Sequence, residues 1–236
     1  MPIESATWVG RAAGSLSAPA VRACNVARVL RSVLFFLALS FVPQSSTAAD
    51  AERARSIFLI ASRDLNDPNF HETVVLVTQA ASTPMGVIIN RASRLPLSKL
   101  FPEAERLDDK SDRVFVGGPV ARQALLFLFR AGSPPEGAVE VMEGVYLSGS
   151  ANLLRELLKR DKPTQGLRVF AGHSGWATGQ LEAEIALGGW HLAPADADTL
   201  FDKPPESIWS DLIKRAGGRM VTAPSDLRSA GLIEFD

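Results

Sequence analysis

Cysteine is almost absent from this sequence. The single one, Cys24, precedes an apolar stretch near the N-terminus, and none follows it. Intramolecular disulfides, thiolate zinc sites and cysteine nucleophiles are therefore excluded from everything downstream. Histidine is nearly as scarce: His71, His173 and His191 are the only three. None has a second histidine at metal-ligand spacing, and the H-E-x-x-H signature is missing, so no metal is expected. No apolar run reaches the roughly 20 residues that a spanning helix needs. The uncharged core at 32–42 is far shorter. A basic excess is lacking too. The net charge is −1. Residues 1–49 contribute +3, from Arg11, Arg22, Arg28 and Arg31 against Glu4, which leaves −4 for the rest. A domain that grips phosphates normally has a basic face, so this balance argues against direct nucleic-acid binding.

What is present begins with a leader. Arg22, Arg28 and Arg31 precede or enter the apolar stretch at 29–42, and Pro43, Ser45, Ser46 and Thr47 follow it. Positive flank, short apolar core and small-residue exit form the order of an export signal. Cleavage is expected after Ala48 or Ala49. The reading divides the chain into a leader at 1–49 and one domain at 50–236, located in the periplasm or outside the cell. A buried apolar helix or an uncleaved anchor is the alternative reading of this stretch, and the cytoplasm the alternative location.

Within the domain, residues 57–61 (IFLIA) and 73–78 (TVVLVT) read as strands, and 86–89 as the hairpin partner of the second. Further strands are expected at 113–116, 124–129, 139–142, 145–147, 167–171 and 190–192. Leucines at 153, 154, 157 and 158 form a helical stripe. Helices are also expected at 178–186, 196–201 and 205–215, with a tight loop at 172–177 and one helical turn at 97–101. Strands come first, then helices alternate with strands. That order predicts an α/β or α+β fold, a single compact domain with a mixed β-sheet flanked by helices.

The chemistry-bearing words are few. Gly172-His173-Ser174-Gly175-Trp176 sits where a strand would meet a helix, as a nucleophile elbow does. Its spacing breaks the G-x-S-x-G rule, because Trp176 stands where glycine is needed. A turn with freely rotating glycines is the plainer reading. Glu182 and Glu184 are two apart and do not share a helix face, whereas Gln180 and Glu184, four apart, can. Gly117-Gly118-Pro119 ends a strand, and backbone N–H groups there could cradle an anion. No Lys-Ser/Thr follows, so a nucleotide loop is excluded and no cofactor is expected. Asn90-Arg91, directly after a strand, is the better place to hold an anionic group.

Read together, DPNF at 67–70, GVIINR at 86–91, VGGPV at 116–120, GHSGWATGQLEAEI at 172–185 and GGWHLAPAD at 188–196 resemble the YqgE/AlgH family of bacterial proteins. Leu200, Phe201 and the later Trp209 continue the pattern. The resemblance covers about residues 55–215 and implies a single-domain α/β fold without an established activity. Family members often carry a transcriptional-regulator label. By the same resemblance, Asn90, Arg91, Gly117, Gly118, Trp176, Gln180, Glu182 and Trp190 would line whatever site exists. Two departures stand out. Family members usually lack an export leader, and Thr178 replaces a more usual proline. The expected function is a non-catalytic ligand- or protein-binding, regulatory domain, with a small anionic or peptide ligand. The alternatives are a hydrolase using Ser174 or a Glu182-activated water, and a transcriptional regulator.

Overall fold

β1 (Ile57–Ala61) and β2 (Val74–Thr78) are apolar almost throughout and buried at every position. Only strands covered on both faces carry such a pattern. Successive side chains point to opposite faces, and here they do so into two separate cores. Ile57, Leu59 and Ala61 enter one; Phe58 and Ile60 enter the other. The computed structural model describes residues 56–78 and 83–216. The expected leader and its cleavage point, part of the turn at 80–84, and the tail after 216 lie outside the described residues.

Eight further strands complete a mixed sheet. They are β3 (Met85–Ile88), β4 (Ala92–Pro96), β5 (Arg113–Val116), β6 (Val120–Arg130), β7 (Val139–Met142), β8 (Val145–Ser148), β9 (Leu167–Gly175) and β10 (Trp190–Pro194). The order across the sheet is β10, β1, β2, β3, β9, β6, β8, β7, and β5 joins β9 with β4 on its far side. Among the described residues every pairing is antiparallel except β5 with β9. The sheet curls. Ser56, just before β1, donates its hydroxyl to the Val141 carbonyl in β7 over 2.6 Å, although these strands lie near opposite ends of the order.

Helices cover both faces. α1 (Ala151–Leu158) lays Leu154, Leu157 and Leu158 on Phe127, Phe129 and Val169. Ser150 caps it by accepting from the Leu153 N–H, which satisfies one of the donors a helix start leaves open. α2 (Gln180–Ala186) places Leu181 and Ile185 on the β1–β2 face. α3 (Ala197–Phe201) and α4 (Pro205–Ala216) cover the inside of the curl with Leu200, Ile208, Leu212 and Ile213. Among the described residues no helix is long and apolar enough to cross a membrane. The fold is thus the expected mixed sheet with flanking helices in one compact domain.

Three local expectations are corrected. β9 runs on through Gly175, so residues 172–175 are strand and not loop. Their partner is β3, with Gly86 opposite Ser174 and Met85 opposite Gly175. α2 begins at Gln180 after Gly179 at φ 78°, with no side-chain cap, so Thr178 does not start the helix. β4 was invisible in the sequence: its residues are mostly exposed, and among the described residues it pairs only with β5.

Candidate functional site

The segment leaving β3 is built as a clamp. Ile89 N–H donates to the Val74 carbonyl at 2.9 Å. Asn90 Oδ1 accepts from the Val74 N–H at 2.8 Å, and its Nδ2 donates to the Glu72 carbonyl at 2.9 Å. Arg91 reaches further. Its Nη1 donates to the Asn69 carbonyl at 2.7 Å and its Nη2 to the His71 carbonyl at 3.0 Å. Loop 67–72 closes on itself as well, through Asp67, which accepts from the Asn69, Phe70 and His71 amides. Glu72 stands at φ 53°, a left-handed conformation that a non-glycine residue holds only under external constraint. The Asn90 bond to its carbonyl supplies one.

Trp176 and Trp190 lie a short distance away. Phe70 joins them: its ring stacks on Trp176 with centroids 6.3 Å apart and meets Trp190 edge-on at 5.4 Å. Both tryptophans are nearly sealed, 4% and 3% exposed. Buried indole N–H groups need an acceptor, and one oxygen serves both. Glu184 Oε2 accepts from Trp176 Nε1 at 3.0 Å and from Trp190 Nε1 at 2.9 Å. Glu184 Oε1 accepts from Gln180 Nε2 at 2.9 Å, while Gln180 Oε1 accepts from the Ala177 N–H at 3.1 Å. The shared face expected for Gln180 and Glu184 is therefore used in an internal bond. Glu182 does not join this group, and Arg91 does not pair with it. Its Oε2 is buried without a hydrogen-bond partner.

Gly117 and Gly118 form a crossing. Gly117 N–H donates to the Ala171 carbonyl, and its own carbonyl accepts from Ile88 N–H. A Cβ at Gly117 would lie 2.2 Å from the Gly172 oxygen, and one at Gly118 would lie 2.2 Å from the His173 carbonyl carbon. Gly172 itself stands at φ 74°. These glycines let two backbone segments touch where β9 changes partner. The Gly117 N–H is already bonded, so it is not open to an anion. Ser174 is fully buried, and its hydroxyl donates to the Gly117 carbonyl at 3.3 Å. The strand-to-helix elbow that a nucleophile would need is not formed, because Ser174 sits within β9.

The structure brings Asn90 and Arg91 onto loop 67–72 and Trp176 and Trp190 onto its Phe70, while Gln180 reaches the tryptophans only through Glu184. It sets Gly117 and Gly118 apart at the crossing. Three contributors were not among the residues expected to line the site. Phe70 is one and Glu184 another; their signals were the DPNF word and the four-residue spacing from Gln180. The third is Arg168, 8% exposed, whose Nη1 donates to the Ile89 carbonyl at 2.9 Å and Nη2 to the Lys203 carbonyl at 3.0 Å. Its guanidinium lies 4.8 Å from the Phe115 ring centroid. Burial pushes its pKa down to about 10, against a smaller opposing pull from Asp202, and it remains charged at neutral pH. A lone arginine in a strand pattern carries no signal of burial.

Among the described residues no cluster of histidines and carboxylates is placed to hold a metal ion. A groove of about 540 Å³ opens elsewhere, between residues 103–106 and α1. Glu103, Arg106, Arg155, Glu156 and Lys159 line it, and none of the expected site residues does.

A family model described as AlgH-like matches residues 58–221. A UPF0301 protein of Anaeromyxobacter dehalogenans is 36% identical over 171 residues, spanning 68% of this chain and 86% of its own length. One of Chlamydia felis is 31% identical over 173 residues, spanning 72% and 91%. Among solved structures, the solution structure of the AlgH protein from Pseudomonas aeruginosa is similar with a TM-score of 0.55 and 29% identity, over 73% of this chain and 92% of that one. A crystal structure of a Corynebacterium diphtheriae protein shares the fold at a TM-score of 0.56 and 23% identity, over 70% and 87%.

Proposed function

This chain belongs to the AlgH-like family, and from that premise we propose that its domain is a non-catalytic ligand- or protein-binding module with a regulatory role. One observation carries the reading. The polar atoms of the motif residues end on one another or on backbone: Trp176, Trp190 and Gln180 on Glu184, and Asn90 and Arg91 on loop 67–72. Groups committed in this way hold a surface in place, and Arg91 keeps N–H donors beyond the two it spends on the loop. The ligand class that suits Arg91 is a small anion or a peptide-like acid. The leader supports action in the periplasm or outside the cell, with the cytoplasm as the alternative.

A hydrolase is the second reading, and one observation favours it. A buried carboxylate oxygen without a partner, as at Glu182, is unusual and could hold a water. Ser174 offers less, being sealed. Direct DNA binding, the basis of a transcriptional-regulator label, is opposed by the negative charge of residues 50–236. The test is a panel of ester and peptide substrates offered to the purified chain, with Ser174→Ala and Glu182→Gln beside it. No turnover is expected, and both variants should unfold close to the parent. Turnover that disappears in either folded variant overturns the binding reading.

A further inference from the structure

Arg91 and Arg168 hold the same connector from two sides. Arg168 grips the carbonyl of Ile89, and Arg91, two residues on, grips Asn69 and His71. These three hydrogen bonds, and a fourth from Arg168 to the Lys203 carbonyl, end on neutral oxygens. Among the described residues no carboxylate lies within ion-pair distance of either guanidinium. A cation in a partly dry environment normally has an acidic partner. Burial lowers the pKa of Arg91. Neither guanidinium is thus held by a direct ion pair within the described fold, and only Arg168 feels a longer-range pull, from Asp202.

Arg168 is buried, but Arg91 is only partly so. A guanidinium carries five N–H donors in a rigid fork, and the Asn69 and His71 carbonyls occupy two of them. We propose that the open edge of the Arg91 guanidinium, beside loop 67–72, is a subsite for a small oxyanion, a carboxylate or phosphate group. The inference rests on the binding-module reading and names the chemistry of its ligand. The fork geometry suits two parallel N–H···O bonds to one such group. Arg168 adds attraction from behind without touching the ligand. His71 presents an exposed imidazole from the same loop, and its side chain borders the subsite only through the backbone that Arg91 holds. The negative balance of residues 50–236 disfavours a long polyanion, so the ligand is small or singly charged at this point.

The test reads the Arg91 side-chain Nε–Hε resonance of the folded full chain. Inorganic phosphate and acetate are titrated separately, against sodium chloride at matched ionic strength. A saturable shift at Arg91, absent at the exposed Arg94 and Arg122, is expected with at least one of the two anions, and which one responds identifies the source group. Arg91→Lys keeps the charge and loses the fork, and should weaken binding by about tenfold or more. No saturable shift, a shift equal to that of Arg94 and Arg122, or unchanged affinity in a folded Arg91→Lys overturns the subsite. Each of these outcomes is independent of the substrate panel, which tests the module reading itself.

Discussion

Trp190 donates its indole N–H to Glu184 Oε2 over 2.9 Å, six residues back along the chain. The same oxygen accepts from Trp176, so one carboxylate at the outer side of α2 holds two buried aromatic side chains. α2 has only seven residues and no side-chain cap. Alone it would be marginal. Removing Glu184 leaves two buried donors open, each worth about 1–3 kcal/mol when unsatisfied. Glu184→Ala should therefore lower stability by about 3 kcal/mol, and Glu184→Gln, which keeps an acceptor, by clearly less. Urea midpoints with a constant m-value check the order; equal losses in the two variants would refute it.

Trp176 and Arg91 differ in what they hold. Trp176 fills a core and Arg91 fastens a loop. Trp176→Ala should lower global stability by about 3–5 kcal/mol, as for other buried aromatics. Arg91→Ala should act locally. Amide exchange in residues 67–72 is expected to accelerate strongly while the global midpoint moves less than for Trp176→Ala. Equal global losses would show that the loop and the core unfold as one unit.

The glycine crossing gives a sharp contrast. A Cβ at Gly117 or Gly118 would overlap backbone atoms at 2.2 Å, and backbone cannot step aside. Gly117→Ala and Gly118→Ala should fail to fold or lose several kcal/mol. Gly132→Ala meets nothing within 4 Å and should change stability by less than about 1 kcal/mol. Thermal unfolding of the three variants decides the matter; a well-folded Gly117→Ala would mean that β9 can move away from β5.

Export predicts a processed N-terminus. Sequencing the protein isolated from its native host should find a start after Ala48 or Ala49. A chain that retains residues 29–42 in the cytosol would return the domain to the cytoplasmic alternative.

Residues 57–61 and 73–78 announced strands because an apolar, β-branched run is written in consecutive side chains. The stripe of Leu154, Leu157 and Leu158 announced α1 for the same reason: helical period and apolar face are local properties. The motif words located the important loops. What these loops do was decided elsewhere. β4 exists because β5 lies beside it, and β9 continues past Ala171 because Gly86 and Met85 pair with Ser174 and Gly175. Trp176 could have lined a cleft or plugged a core. Phe70 from one loop and Glu184 from a helix settled that it is a plug. Arg168 looked like any strand arginine, and only the approach of Ile89, Lys203 and Phe115 made it a buried cation. The sequence by itself determined which segments are apolar and with what period. The tertiary structure alone decided which donor meets which acceptor, because those partners lie up to 148 residues apart, and no local pattern encodes a meeting across that distance.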